Sequence, residues 1–438
     1  MPVTEEREVI FINDVIDEIV PVLLNVKRKD IEEISAVSQD DRTRIFLTLK
    51  KRDMICPFCR SERKMVNNGY YERKVIIPNK AFEKTEVIVQ TRRYRCLRCG
   101  HTVSDTGHMA PANVKVSYSS ISEVMNLLKD PHMTFREVSS ITGISETTVI
   151  RIFDRYCHIP RVPLPEILCI DEVYTKNSDY KSKYSCIFYD FRKHGVVDVL
   201  PSRRKDYLRM YLSKIQTEER NGVKYVCIDM YLPYKQICEI YLKKAVICVD
   251  SFHVVKHVND DLNRLRIRYM KSYDPDSQEY YLLNRFRFLL LDRKIDLDNK
   301  PRFNKKFGRY LNYRQLLEMI LSISDEIRKA YELKEEYVTF NAKFTKEEAE
   351  ESYDILVDDF VRADIPEYSE FITLLKNWKQ EIINSFVRID EIRINNGIAE
   401  SINESVSLII YNTKGIRNSE RRRKRIMYSI NRNGFNLI

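Results

Sequence analysis

The sequence predicts a multidomain α+β protein: a zinc-ribbon-like module, a helix-turn-helix, and an RNase H-like α/β core interrupted by an all-helical insertion. Three observations carry this. Four of the ten cysteines fall in two C-x-x-C pairs, the stretch 134–156 reads as helix, glycine turn and helix, and three apolar runs after residue 166 each end in an aspartate. At 438 residues the chain exceeds what one core usually serves, and 43% hydrophobic residues are enough for packed interiors. Ten glycines are about 2% of the chain against a usual ~7%, and no Gly-rich phosphate-binding motif is present. That argues against nucleotide-binding folds built on such loops. No apolar run approaches the ~18–20 residues that span a bilayer, and Met1–Val9 is mostly acidic. We therefore expect a soluble intracellular protein with no membrane partner and no secretory signal.

Residues 1–110 hold the first module. Cys56-Pro57-Phe58-Cys59 and Cys96-Leu97-Arg98-Cys99-Gly100 are two knuckles separated by 36 residues. Four thiolates in this pattern close a tetrahedral site around one Zn²⁺ and leave no open position for catalysis. Redox C-x-x-C pairs are the competing reading, and two copies with these inserts disfavour it. The intervening residues fit a β-ribbon with strands at 73–77 and 86–94. The other six cysteines stand among apolar neighbours and read as small core residues. Charge is uneven within the net +10: residues 60–101 hold eleven Lys/Arg against four Glu, and 412–432 hold eight against one. Such blocks are either solvated surface or the electrostatic footprint of a nucleic-acid binder.

Residues 111–160 read as helical. Ile121, Val124, Met125 and Leu128 recur at helical spacing, Thr134 to Glu137 forms a capping box, Gly143 supplies a turn, and Ser145 caps a further helix. With Val149, Ile152 and Phe153 facing inward, Thr147, Thr148, Arg151 and Arg155 face outward, where they suit a DNA major groove. A plain helical hairpin is the alternative; the neighbouring knuckles and basic block favour DNA binding.

After Pro160, Pro163 and Pro165 the periodicity changes, and residues 161–262 form the first part of the core. Ile167–Ile170 ends at Asp171-Glu172, 184–191 and 196–200 follow as strands, 205–215 is an amphipathic helix, and two further strands end at Asp229 and Asp250. Acids at strand C-termini sit at the mouth of an open α/β sheet, where such folds hold ligands. There they are oxygen donors for hard divalent cations. A lone strand-end Asp is more often a cap. Residues 263–390 keep helical spacing, as in Leu316, Leu317, Ile320 and Leu321, and are expected as the insertion, with Trp378 in its core. Residues 391–438 are expected to hold the last part of the core, with a final helix, and the basic C-terminus.

Taken in order, these segments resemble the bacterial insertion-sequence transposases of the ISL-three family. The matching residues are the four cysteines, the helix-turn-helix, Cys169-Ile170-Asp171-Glu172, Cys227-Ile228-Asp229-Met230 and Val249-Asp250-Ser251-Phe252-His253. Further on come Asn396-Gly397-Ile398-Ala399-Glu400-Ser401-Ile402-Asn403 and Lys414-Gly415-Ile416-Arg417-Asn418. Asn395 and Ser401 depart from the residues common there. The resemblance implies a metal-dependent transposase with Asp171, Asp229 and Glu400 holding Mg²⁺ or Mn²⁺, and Asp250 and His253 as accessory groups acting on substrate. It implies structural Zn²⁺, double-stranded DNA as partner at transposon ends and target, a homodimer, and a bacterial cytoplasmic, nucleoid-associated setting. Glu404, four residues after Glu400, is given a supporting or surface role. Asp229 and Glu400 lie 171 residues apart, which the insertion accounts for. Two other readings use the same features: a non-catalytic zinc-dependent DNA-binding regulator or inactivated transposase, and an RNase H-like RNA nuclease.

Overall fold

The computed structural model describes residues 21–39, 42–78, 84–105, 109–111, 114–177, 182–292, 294–395, 397–412 and 418–432. Within these, the side chains of residues 38, 39, 42, 84, 85, 176, 177 and 398–401 lie outside the description, as do the expected motif residues Asn396 and Lys414–Arg417. The chain divides into two compact units, Met1–Pro160 with Ser405–Ile438, and Arg161–Glu404. Among the described residues no helix is long and apolar enough to cross a membrane.

In the first unit, strands β1 (Ile31–Gln39), β2 (Arg42–Leu49), β3 (Val66–Ile76), β4 (Lys84–Arg95) and β5 (Thr102–Ser104) form one sheet in the order β1-β2-β4-β3, with β5 also on β4. The alternation in β2 and β4 explains it: Ile45, Leu47, Leu49, Val87 and Val89 are buried on one face beside Val75. The ribbon expected between the knuckles is the antiparallel β3–β4 pair, longer than its sequence limits. The pairing of β2 parallel to β4 was not legible from short-range pattern. Helices α1 (Tyr118–Leu127), α2 (Phe135–Thr142) and α3 (Glu146–Tyr156) follow. The Thr134/Glu137 capping box opens α2, and Gly143 ends it in the left-handed conformation at φ 67°, open to glycine at little cost. Ile121, Val124, Val138, Val149, Ile152 and Phe153 close their common core.

In the second unit the sheet order is β10-β9-β6-β7-β8. Strands β6 (Ile167–Asn177), β7 (Ser182–Asp190) and β8 (Gly195–Leu200) make an antiparallel meander. After α4 (Lys205–Ser213) and α5 (Thr217–Asn221), β9 (Tyr225–Ile228) returns parallel to β6; after α6 (Leu232–Tyr241), β10 (Val246–Val249) adds parallel to β9. Helix α7 (Ser251–Ser272) then runs unbroken past position 262 into the insertion. There α8 (Gln278–Arg285), α9 (Phe288–Leu291), α10 (Tyr313–Leu321), α11 (Asp325–Lys343), α12 (Lys346–Ala363), α13 (Ser369–Asn377) and α14 (Lys379–Asn384) dominate. The insertion is not all-helical: a two-stranded hairpin, β11 (Arg302–Asn304) and β12 (Arg309–Leu311), stands between α9 and α10. A single apolar cluster runs from Leu168 and Ile228 of the sheet through Leu265 and Leu317 to Phe386. Sheet and insertion therefore share one core.

A second short hairpin, β13 (Arg388–Ile389) and β14 (Ile392–Arg393), leads to α15 (Gly397–Asn412). The last helix, α16 (Ser419–Ile430), was grouped by sequence with the catalytic core. It packs instead in the first unit, where buried Tyr428 meets Phe153 edge-on at 5.8 Å. Arg425, 1% exposed, donates to the carbonyls of Leu128 (2.5 Å), Asp130 (2.9 Å) and Met133 (2.8 Å), groups at and just beyond the C-terminus of α1, where helical partners run out.

Candidate active site and metal centre

Each cysteine pair sits on a tight turn. The N–H of Arg60 donates to the Cys56 carbonyl and that of Gly100 to the Cys96 carbonyl, both at 2.9 Å, and Arg60 and Gly100 both have positive φ. The turns aim backbone N–H groups at sulfur: those of Cys99 and Arg98 hold the Cys96 thiol down at about 6, and that of Cys59 lowers Cys56. The sulfurs of Cys56 and Cys99 lie 3.6 Å apart, as do those of Cys59 and Cys96. A tetrahedron with Zn–S bonds of about 2.3 Å has edges of about 3.8 Å, so the four fit one zinc ion. Among the described residues this is the one group of three or more His, Cys, Asp or Glu whose ligand atoms all lie within 4.8 Å of one another.

The acids of the second unit are aligned by strand register. Cys169 pairs with Cys227, and Cys227 with Cys248, across three adjacent parallel strands. Each cysteine is followed two positions later by an acid, so Asp171, Asp229 and Asp250 stand at one level and on the cysteine face, with adjacent strands ~4.8 Å apart. The N–H of Asp250 donates to the Ile228 carbonyl at 2.8 Å, which extends the register to the acids themselves. Asp171 differs from its expectation in one respect: β6 continues past it to Asn177 because β7 keeps pairing there. Both β9 and β10 end at that level.

These carboxyls are short of water. Burial pushes Asp171 up, with Asp250 adding to it, and burial with Glu172 lifts Asp229 to about 6. Three crowded acids in a half-dry setting are an all-oxygen donor set whose charge a hard divalent cation would offset. In the structure they are not drawn to a common point, and each accepts a local N–H: Asp171 from Glu172 (2.7 Å), Asp229 from Tyr231 (3.1 Å), Asp250 from Phe252 (3.2 Å). Asp250, 1% exposed, thereby caps α7, and His253 one turn along holds its Nε2 3.7 Å from the Asp250 carboxylate. Glu172, on the opposite face of β6, is clasped by Arg203, which also lies over Tyr184 and Tyr231.

Helix α15 closes the site. Asn403 donates from Nδ2 to Oδ2 of Asp171 at 2.6 Å and accepts from the hydroxyl of buried Tyr189. Sequence reading passed over Asn403 and Tyr189; the signal for Asn403 was its place one turn beyond Glu400. Position 400 is in the first turn of α15, and its side chain lies outside the described residues. Glu404 is exposed. In the first unit, Thr147, Arg151 and Arg155 are exposed on α3 and Thr148 is half-buried, its hydroxyl 2.8 Å from that of Ser145.

A family model described as transposase, of the ISL-three type, matches residues 168–426. No curated protein matches the chain. The matched span covers more than half of the chain, beginning in β6 ahead of Asp171 and running through α15 into α16. By that match the chain belongs to the ISL-three family of transposases.

Proposed function

We propose that the protein is the transposase of an insertion sequence: it binds terminal inverted repeats and catalyses metal-dependent strand cleavage and strand transfer. The observation that carries this reading is the common level of Asp171, Asp229 and Asp250 on three parallel strands, with Asn403 of α15 hydrogen-bonded to Asp171. Asp171, Asp229 and Glu400 would hold Mg²⁺ or Mn²⁺. When bound, such cations neutralise phosphate charge and make water and a 3′-hydroxyl better nucleophiles at neutral pH. The chain's own contribution is positional. Asn403 fixes one rotamer of Asp171, and the turn N–H groups fix Asp229 and Asp250. His253, partly exposed beside Asp250, can donate to a phosphate oxygen. The Cys56/Cys59/Cys96/Cys99 site, holding Zn²⁺, would stiffen the end of the β3–β4 ribbon. Helices α2 and α3 would act as a helix-turn-helix, with Thr147, Thr148, Arg151 and Arg155 toward DNA. Synapsis of two ends makes a homodimer the expected assembly, working on chromosomal DNA in the bacterial cytoplasm.

The test is a cleavage assay on an oligonucleotide carrying the element's end. Asp171→Asn, Asp229→Asn and Glu400→Gln should each abolish Mg²⁺-dependent cleavage while leaving end binding intact, and Glu404→Gln should retain a substantial fraction. Full cleavage by any of the first three would overturn that residue's assignment. End binding by the parent chain with no Mg²⁺-dependent cleavage would favour a DNA-binding regulator.

A further inference from the structure

The insertion contains a basic, aromatic pocket that the acid site does not use. Strands β11 and β12 pair in the register Phe303↔Tyr310, and their loop closes at Gly308, φ 64°, whose N–H donates to the Asn304 carbonyl at 2.8 Å. Buried Asn304 locks the loop from inside, accepting the Lys306 N–H at 3.0 Å and the Tyr281 hydroxyl at 3.4 Å. This rigid hairpin holds two large aromatic rings out in solvent: Phe303 is 54% exposed and Tyr310 68%, with ring centroids 5.4 Å apart. Between the hairpin, α8 and the start of α10 opens a cavity of about 920 Å³. Among the described residues its lining includes Tyr281, Phe288, Tyr313 and Phe303, together with Arg285, Arg302, Lys305 and Lys306, and no Asp or Glu, in a chain with 64 acids. Among the described residues Arg285, Arg302 and Lys305 form no ion pair, although most arginines of the neighbouring helices do.

We infer that this pocket takes a single-stranded segment of DNA, an unpaired base lying against Phe303 and the flanking phosphates meeting Arg302, Arg285 and Lys305. Like charges gathered without acids repel one another, so an anionic ligand is favoured there over a neutral or cationic one. The exposed ring adds a demand that inorganic phosphate does not meet: a flat apolar partner. In a duplex the base faces are covered by their neighbours, so the ligand that supplies both phosphate and a free base face is an unpaired strand. The cavity lies in the size range of small-ligand sites, which suits one or two nucleotides. The inference rests on the reading of this chain as a DNA-acting enzyme and assigns that enzyme a strand-holding element apart from its acids.

The test uses the full chain with zinc bound and an oligothymidylate in which one base is 5-iodouracil, which cross-links to aromatic side chains on irradiation. Cross-linked peptides are identified by mass spectrometry, and affinity is followed by fluorescence anisotropy. The expected cross-link is to the peptide holding Phe303 or Tyr310. Phe303→Ala should abolish it and weaken single-strand binding by about tenfold, in line with the ~1–3 kcal/mol of a base–aromatic stack. Phe303→Leu, which keeps an apolar surface residue without the aromatic face, should behave like the alanine variant. Arg302→Glu with Lys305→Glu should flatten the salt dependence by about 0.7 per lost phosphate contact. Cross-linking confined to other peptides, or equal losses for duplex and single strand, would overturn the inference. So would an acidic peptide competing for the pocket better than the oligonucleotide. None of these readouts involves cleavage, so an active Asp171→Asn variant would refute the proposed chemistry and leave this result standing.

Discussion

Removing the Asn403 side chain should cripple cleavage while sparing DNA binding. In Asn403→Ala, Asp171 loses the amide that donates to it at 2.6 Å, and the hydroxyl of Tyr189, 1% exposed, loses its acceptor. A hydrogen bond to a charged acceptor contributes ~1.5–3 kcal/mol. If that sum acts on the reacting geometry alone, cleavage slows by roughly 10- to 150-fold. Asn403→Asp makes a sharper case because it sets a carboxylate where the amide stood, 2.6 Å from Asp171. At an effective dielectric of ~20 two unit charges that close repel by about 6 kcal/mol, enough that the pair shares a proton. The aspartate variant should therefore be slower than the alanine one, although it is nearly isosteric with the parent. Tyr189→Phe, which only frees the amide to rotate, should be the mildest. The assay is single-turnover cleavage of a labelled end-bearing oligonucleotide, with end binding and thermal melting measured on the same samples. Asn403→Ala cleaving as fast as the parent would refute the positioning role. Parallel loss of binding and cleavage would show that the residue merely holds the fold.

Three further outcomes are expected. The purified chain should carry one zinc per molecule by elemental analysis, and chelation or Cys56→Ser should unfold the knuckles and reduce end binding, because ribbon folding and metal binding are linked; a zinc-free protein that binds ends normally would contradict this. Arg425→Met should leave the Met133 carbonyl without a donor and remove one of two from those of Leu128 and Asp130, a local cost of about 1–3 kcal/mol, read as faster hydrogen exchange in peptides spanning α1 and α16, with Arg425→Lys a poor substitute because one ammonium cannot span the three acceptors. Asp261, buried on α7 beside Arg264, has its carboxyl pushed up to about 7 by burial, so between roughly pH 4 and that value the folded chain keeps a proton the unfolded chain releases. Its contribution to stability is then fullest at the acid end and is lost as pH rises through about 7, and the melting temperature of Asp261→Asn should fall less across that window than the parent's.

Short-range pattern was enough for the knuckles, the capped helices and the longer strands. The knuckles could be read because four sulfurs at C-x-x-C spacing have few other uses. The α2–turn–α3 segment could be read because the Thr134/Glu137 capping box and Gly143 are local chemistry, although Ser145 precedes α3 without capping it through its side chain. The core strands could be read because each apolar run stops at an acid. What tertiary structure decided was everything set by register and by partners far away in sequence. That Asp171, Asp229 and Asp250 stand level follows from the pairing of Cys169, Cys227 and Cys248, and no single strand's sequence encodes which residue of another strand lies beside it. Asn403 acquires its role from Asp171 and Tyr189, more than two hundred positions away. The basic run 421–425 looked like solvent-facing charge, yet Arg425 is buried, because helix α1 and the turn after it offer carbonyls that only a guanidinium placed by the fold can reach. The hairpin β11–β12 escaped notice inside a helical stretch, since three-residue strands carry too little periodicity to register, and the core they lean on is supplied by α8 and α10.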